Sequence, residues 1–196
     1  PVDFDPKQWA RAAKEAGMKY VVLTAKHHDG FCLFDSQYTD FKSTNTPYGR
    51  DIVKEFVEAV RAEGLKVGLY FTLLDWYHDD YPHYGDKNHP MRNNPAYSNE
   101  KRDFSRYVEY MHNQVREICT NYGKLDILWF DFSYENENYV MRGETWGATE
   151  LVNMVRELQP GIIIDNRLEV SGEGFGSLWE LSLIHISEPT RLQLIS

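Results

Sequence analysis

The feature that most constrains the fold is a strict alternation of helical and strand-like patterns along the chain. Amphipathic helical stretches begin near Asp5, Asp51, Ser98 and Thr149. Each is followed by a short, continuous apolar run, and these runs cover residues 20–25, 65–71, 125–132 and 162–167. Continuous apolar strands that alternate with helices predict a parallel sheet with right-handed crossovers and helices packed on its faces. We therefore expect an α/β protein.

Two parallel architectures fit this order, the doubly wound sheet and the (β/α)8 barrel. Candidate catalytic residues follow every strand, which favours the barrel over a sheet with a single switch point. A complete barrel needs roughly 250 residues, whereas this chain has 196 and opens at Pro1 without an initiator Met. We expect a partial (β/α)8 TIM-like barrel of about four βα units.

Composition excludes several classes of partner. The net charge of −9, without a long basic run, argues against binding to nucleic acid. No apolar stretch is long enough to span a membrane. Cys32 and Cys119 lie far apart and outside any metal-ligand spacing, so we interpret them as ordinary thiols. No motif in the sequence requires a cofactor.

Acidic, imidazole and aromatic side chains come at three predicted strand ends. Asp131 lies near the end of the apolar run Leu125–Phe132. The first run is followed by Lys26-His27-His28-Asp29-Gly30-Phe31. Asp75-Trp76-Tyr77-His78 follows the second. Because the carboxyl ends of parallel strands meet at one edge of a sheet, these groups outline a site suited to sugars. The alternative for Asp131 alone is a helix N-cap after a strand.

The adjacent histidines leave two interpretations open. Imidazoles bind zinc, copper or iron, but neighbouring strand residues point to opposite faces, and no HxH or HExxH pattern is present. Hydrogen bonding of His27 and His28 to substrate hydroxyl groups is the favoured interpretation, so we predict no metal. Asp131 suits the nucleophile of a retaining glycosidase, and Arg167 at the fourth strand end would favour its ionised form. A surface ion pair is the alternative for Arg167.

Four motifs in order resemble the glycoside hydrolase family 29 α-L-fucosidases: the Lys26–Phe31 block, Gly68-Leu69-Tyr70 with Asp75-Trp76, Leu128-Trp129-Phe130-Asp131, and Asp165-Asn166-Arg167. The resemblance covers residues 1–180. It implies a (β/α)8-like barrel that releases L-fucose from fucosylated glycans or fucosides with retention of configuration.

The resemblance also implies roles for single residues. Asp131 would be the nucleophile that forms a fucosyl-enzyme ester, and His27 and His28 would bind sugar hydroxyls. Tyr70 and Trp129 would line the pocket near the C6 methyl group of fucose. Trp76 matches a motif tryptophan near the sugar, and Arg167 matches a pocket arginine.

One role has no clear counterpart in the sequence. The family's general acid/base is a glutamate beyond the fifth strand; Glu173 and Glu180 fall in that direction, but neither lies in a matching motif. Residues 181–196 begin with a segment that resembles the translation of a transposon mosaic-end sequencing adapter, so we expect a non-native tail after a barrel segment of residues 1–180. A genuine amphipathic C-terminal segment is the alternative.

We therefore expect a retaining α-L-fucosidase fragment that is inactive alone. Three alternatives remain open: another retaining α-glycosidase, a carbohydrate-binding barrel that lacks the acid/base, and a metal-dependent barrel hydrolase.

Overall fold

A computed structural model describes residues 4–170 of the chain. It contains four α-helices and six β-strands, and the helices alternate with the four strands of the main sheet. In chain order they are α1 (Pro6–Glu15), β1 (Tyr20–Lys26), α2 (Ile52–Ala62), β2 (Lys66–Thr72), α3 (Phe104–Asn121), β3 (Ile127–Asp131), β4 (Tyr134–Glu135), β5 (Val140–Met141), α4 (Ala148–Leu158) and β6 (Ile163–Ile164).

The main sheet has four strands in the order β1-β2-β3-β6, and all of its pairs are parallel. Each strand therefore lies beside the strand that precedes it in this sheet, without a reversal of order. The register places Thr72 beside Asp131 and Tyr70 beside Trp129. The carboxyl ends of β2 and β3 are thus level, and β1 ends beside them, since Lys26 pairs with Phe71.

The helices begin where side chains supply hydrogen-bond acceptors to the first turn. Asp5 accepts from the N–H groups of Lys7 and Gln8 at the start of α1, and Asp51 accepts from Lys54 in α2. Such caps satisfy backbone donors that have no partner within the helix. The apolar stripes of the helices then pack on the sheet, and the resulting core includes Val57, Leu69, Phe130 and others.

The sequence predicted the element types well and some boundaries poorly. The third helix was expected to begin at Ser98, which was wrong: Pro95–Tyr97 forms a short 3-10 turn, and Asp103 is the cap of α3. The fourth strand is only the two residues of β6. The predicted loop after Asp131 contains the antiparallel pair β4–β5.

No helix among the described residues is long and apolar enough to cross a lipid bilayer.

Candidate active site

Asp131 ends β3 and has a donor on each carboxylate oxygen. The Tyr70 hydroxyl, from the neighbouring strand β2, donates to Oδ2 at 2.9 Å. Nη1 of Arg167 donates to Oδ1 at 2.6 Å. The Asp131 and Arg167 side chains are 19% and 16% exposed, so the ion pair is shielded but reachable from solvent. Two donors from different strand ends fix the orientation of this carboxylate.

A pair of imidazoles adjoins this carboxylate site. The ring centroids of His27 and His28 are 4.1 Å apart, and the His27 ring stacks on Tyr70 at 5.8 Å. His28 is buried, and its Nδ1 lies 2.5 Å from the Thr72 hydroxyl. Burial, together with the neighbouring His27 ring, lowers the pKa of His28 to about 4. His28 is therefore neutral at physiological pH, a state that can both donate and accept a hydrogen bond.

The two motif tryptophans lie near these groups. The Trp76 ring is 5.2 Å from the His28 ring at an interplanar angle of 60°, and the backbone N–H of Trp76 donates to the His28 carbonyl at 2.7 Å. Trp129 is half-buried on β3, two residues before Asp131. Residues two apart on a strand share a face. Trp129 thus lies on the Asp131 face, beside Tyr70 in the register.

These contacts bring the sequence-predicted site residues together, although they span most of the chain. The links run from Arg167 to Asp131, Tyr70, His27, His28 and finally Trp76. All of them lie at or just beyond the carboxyl ends of parallel strands. Glu173 and Glu180, the acid/base candidates, lie outside the described residues.

Two functional features at this edge were missed in the sequence. Phe132, directly after Asp131, has φ = 80°, a left-handed conformation that is unusual for a bulky residue. Its ring packs 5.0 Å from the His28 ring. Such strain persists only where the surroundings impose it, and it concentrates at functional sites. The sequence gives no sign of this conformation, because a left-handed backbone is usually marked by Gly or Asn and position 132 is Phe.

Asp165, placed by the sequence analysis in a motif without a role of its own, is the second. Its Oδ1 accepts from the Phe130 N–H at 3.1 Å, and its Oδ2 is buried with no hydrogen-bond partner among the described residues. Burial raises the pKa of this carboxyl to about 8. A raised pKa is typical of a general acid, but a carboxyl bonded to the backbone beneath the strand end does not reach a leaving group. Asp165 instead extends the β3–β6 pairing beyond the two residues of β6.

The described part of the chain contains no cluster of three or more His, Cys, Asp or Glu side chains arranged to hold a metal ion. The site thus presents a carboxylate, a cation, two imidazoles, of which His28 is neutral, and aromatic faces. Such a set suits a neutral, hydroxyl-bearing ring: imidazoles bond to hydroxyls, aromatic faces pack on C–H groups, and the carboxylate faces developing positive charge.

Comparison with known proteins agrees with this chemistry. Residues 1–181 match the family model described as "Alpha-L-fucosidase". The chain belongs to the α-L-fucosidase family.

Curated members of the family are similar over much of the chain. The putative α-L-fucosidase 1 of Oryza sativa subsp. japonica is 33% identical over 168 residues, which are 84% of this chain and 28% of that protein. The tissue α-L-fucosidase of Mus musculus is 44% identical over 137 residues, or 67% of this chain and 26% of the mouse protein. The chain thus spans between a quarter and a third of the length of these α-L-fucosidases.

Solved structures of α-L-fucosidases share the fold. Isoenzyme 1 from Paenibacillus thiaminolyticus superimposes with a TM-score of 0.82 at 63% identity, covering 86% of this chain and 39% of that one. The AlfC D200A variant, solved in complex with Fuca(1,6)GlcNAc, gives a TM-score of 0.72 at 31% identity and covers 86% of this chain and 53% of its own.

Proposed function

We propose that residues 1–180 are the part of a retaining α-L-fucosidase catalytic barrel that carries the nucleophile and much of the fucose pocket. The observation that carries the proposal is the Asp131 carboxylate, held by Tyr70 and Arg167 beside the histidine pair. The sheet supports the barrel, because its strands follow chain order and are all parallel. Residues 181–196 are proposed to be an adapter-derived tail.

The proposed reaction has two displacements. An Asp131 oxygen attacks C1 of the fucosyl group as the C1–O bond to the leaving group breaks, and a general acid gives that oxygen its proton. Water then attacks C1 as the residue that acted as general acid takes its proton, and the C1–O bond to Asp131 breaks to release L-fucose. Arg167 and Tyr70 orient the attacking carboxylate, since each donates to one of its oxygens. His27, His28, Trp76 and Trp129 are proposed to bind the fucose ring.

The general acid is proposed to come from beyond residue 180, because neither Glu173 nor Glu180 lies in a matching motif. Asp165 has the raised pKa of an acid, but its Oδ1 is bonded to the backbone and its Oδ2 is buried. A natural fucoside needs the acid for its leaving oxygen, whereas an activated aryl fucoside does not. We therefore propose that this chain reacts with the activated substrate and fails to turn over a natural oligosaccharide.

The experiment uses an α-L-fucoside with a dinitrophenolate leaving group. The wild-type chain should release a burst of phenolate, and intact mass and peptide analysis should place one fucosyl group on Asp131. The Asp131→Ala variant should lose the burst, and added azide should partly restore phenolate release. Asp126→Asn is the matched control, because Asp126 precedes the same strand at its opposite end and accepts the Val67 N–H.

Two outcomes contradict the proposal. One is a burst of wild-type size in folded Asp131→Ala; the other is a folded wild-type chain that forms no ester. Fucose binding without ester formation would instead support a carbohydrate-binding barrel. That alternative is favoured by the lack of an assigned general acid among the described residues. Equal reaction with aryl α-galactosides or α-glucosides would favour another retaining α-glycosidase.

A further inference from the structure

A buried ion pair lies directly behind the proposed fucose pocket. Lys26, the last residue of β1, donates from Nζ to Asp75 Oδ2 at 3.0 Å and to Gln114 Oε1 at 3.1 Å. The Lys26 and Asp75 side chains are 0% and 1% exposed. The ammonium also lies over the rings of Phe71 and Tyr110, 4.6 and 5.1 Å from their centroids. This cation is thus surrounded by partners from β2, from the loop that follows β2, and from α3.

Such a pair is weak evidence for stability. Removing two charges from water costs several kcal/mol per ion, and apolar residues of similar volume often hold a core together equally well. What a buried pair can supply is a specific geometry, because each charge demands its partner in one place.

The second Asp75 oxygen fixes the chain that follows β2. Oδ1 accepts from the N–H groups of Tyr77 and His78, each at 2.9 Å. The loop after β1 must leave room for this oxygen: Gly30 has φ = 79°, and a Cβ at that position would lie 2.5 Å from Asp75 Oδ1. Asp75 therefore sets the path of both loops at this edge of the sheet.

Both members of the pair adjoin pocket residues in the sequence. Lys26 precedes His27, and Asp75 precedes Trp76. The backbone N–H of Trp76 donates to the His28 carbonyl at 2.7 Å, so the two loops are also joined directly. A shift of either charged group would move an imidazole relative to the indole.

We propose that Lys26 and Asp75 are a positioning pair that sets the spacing of His27 and His28 against Trp76 for binding of the fucosyl group. This inference rests on the proposed function of the pocket. Neither residue contacts the sugar; both act through the residues that follow them in the chain.

The test compares three variants of the chain. Asp75→Asn keeps one carbonyl oxygen, which can still accept the N–H groups of Tyr77 and His78, but it places an NH2 donor where Lys26 needs an acceptor. Asp75→Ala removes both acceptors. The double variant Lys26→Met/Asp75→Asn removes both charges and leaves no unpaired buried ion. The matched control is Lys42→Met/Asp35→Asn, because Lys42 and Asp35 form a 2.8 Å ion pair in the β1–α2 connection but adjoin no pocket residue.

Three quantities are measured for each: the Kd for L-fucose, the imidazole NMR signals of His27 and His28 without sugar, and the thermal midpoint. We expect Asp75→Ala and the double variant to weaken fucose binding about tenfold or more, since displacement by about 1 Å is costly in a preorganised site. Both should shift the imidazole signals. Asp75→Asn should bind fucose more tightly than Asp75→Ala and less tightly than wild type, since it keeps the loop contacts and loses the acceptor for Lys26. The control should match wild type in affinity and signals.

A merely structural pair would lower the thermal midpoint and leave the affinity and imidazole signals of the folded protein unchanged, which would overturn the inference. If Asp75→Ala does not fold, the double variant decides. If the wild-type chain binds no L-fucose, the proposed function fails by itself, and the imidazole signals still decide the inference: unshifted signals in folded variants overturn it.

Discussion

At the scale of single residues, the Tyr70 hydroxyl is the contact that most directly links a neighbouring strand to Asp131. It donates to Oδ2 from β2, and burial together with the Asp131 charge raises the pKa of Tyr70 above its ordinary value. The phenol therefore remains a donor across the whole working range of pH.

We expect Tyr70→Phe to slow ester formation on Asp131. A hydrogen bond to a charged group contributes about 1.5–3 kcal/mol, which corresponds to roughly a tenfold to hundredfold lower rate. The measurement is the burst rate with the dinitrophenyl fucoside. Tyr139→Phe is the control, because that hydroxyl bonds to Tyr84 and Asn99 in a distant loop. Equal rates for Tyr70→Phe and wild type would remove Tyr70 from the site.

Asp165 predicts a dependence of stability on pH. Its pKa is raised to about 8 by burial, whereas an unfolded Asp titrates near pH 4. Between these values the folded chain keeps a proton that the unfolded chain releases. The contribution of Asp165 to the free energy of unfolding is therefore complete below pH 4 and is lost as the pH rises through 8. The free energy of unfolding should fall by about 1.4 kcal/mol per pH unit from this group.

Asp165→Asn should remove that slope, because the amide keeps an acceptor for the Phe130 N–H without an ionisable proton. Urea unfolding of both proteins between about pH 4.5 and 7.5 measures the difference, because the slope is expected only between about pH 4 and 8. Parallel curves would show that Asp165 is ionised in the folded chain.

The sequence allowed Asp131, His27 and Arg167 to be placed at strand ends, because the ends of apolar runs are visible as patterns. It did not reveal the burial of Asp165, the backbone conformation of Phe132 or the pairing of Lys26 with Asp75, although three of these residues lie in the quoted motifs. Their significance lies in burial and in contacts across the sheet, such as the bond from Phe130 to Asp165, and neither is encoded in a local pattern.

At the scale of elements, helix starts were predictable where one acidic cap precedes an apolar stripe, as at Asp5 and Asp51. The third start was not, because Ser98 and Asp103 are both acceptable caps and Pro95 adds a 3-10 turn before them. The length of β6 was also unpredictable, since it depends on backbone pairing with a distant strand: only Ile127 and Leu128 of β3 pair with it.

Asp51 joins three elements and should matter more than an ordinary cap. It accepts the Lys54 N–H at 2.8 Å, the Tyr122 hydroxyl at 2.6 Å and the Asp35 N–H at 3.2 Å. Asp51→Ala should lower the free energy of unfolding by roughly 2–4 kcal/mol, the sum of a cap and a charged hydrogen bond. Asp103→Ala, which removes an exposed cap of α3, should cost less. A larger loss for Asp103→Ala would contradict this ranking.

At the scale of the whole molecule, the four-stranded parallel sheet carries the site because its strand ends meet at one edge. Among residues 4–170, no strand pairs with the outer edge of β6, and the outer edge of β1 is covered only near Lys26, by a bridge to Cys32. The element pattern predicted the parallel order. It did not predict how the loops cover the edges, since that depends on contacts between distant segments.

The boundary proposed at residue 180 gives the last prediction. The core packs through the end of the described segment, where Ile162, Ile164 and Leu168 are buried, and the adapter-like segment begins only at Leu181. A chain that ends at residue 180 should therefore keep the thermal midpoint and fucose affinity of the full chain. As a control, a chain that ends at residue 160 lacks β6 and Arg167, and it should unfold at a lower temperature and lose fucose binding. Removal of residues 181–196 could instead lower the midpoint by more than about 4 °C, which is about 1 kcal/mol for a chain of this size. That result would show that the tail packs on the core, and it would refute the assignment of the tail as an adapter.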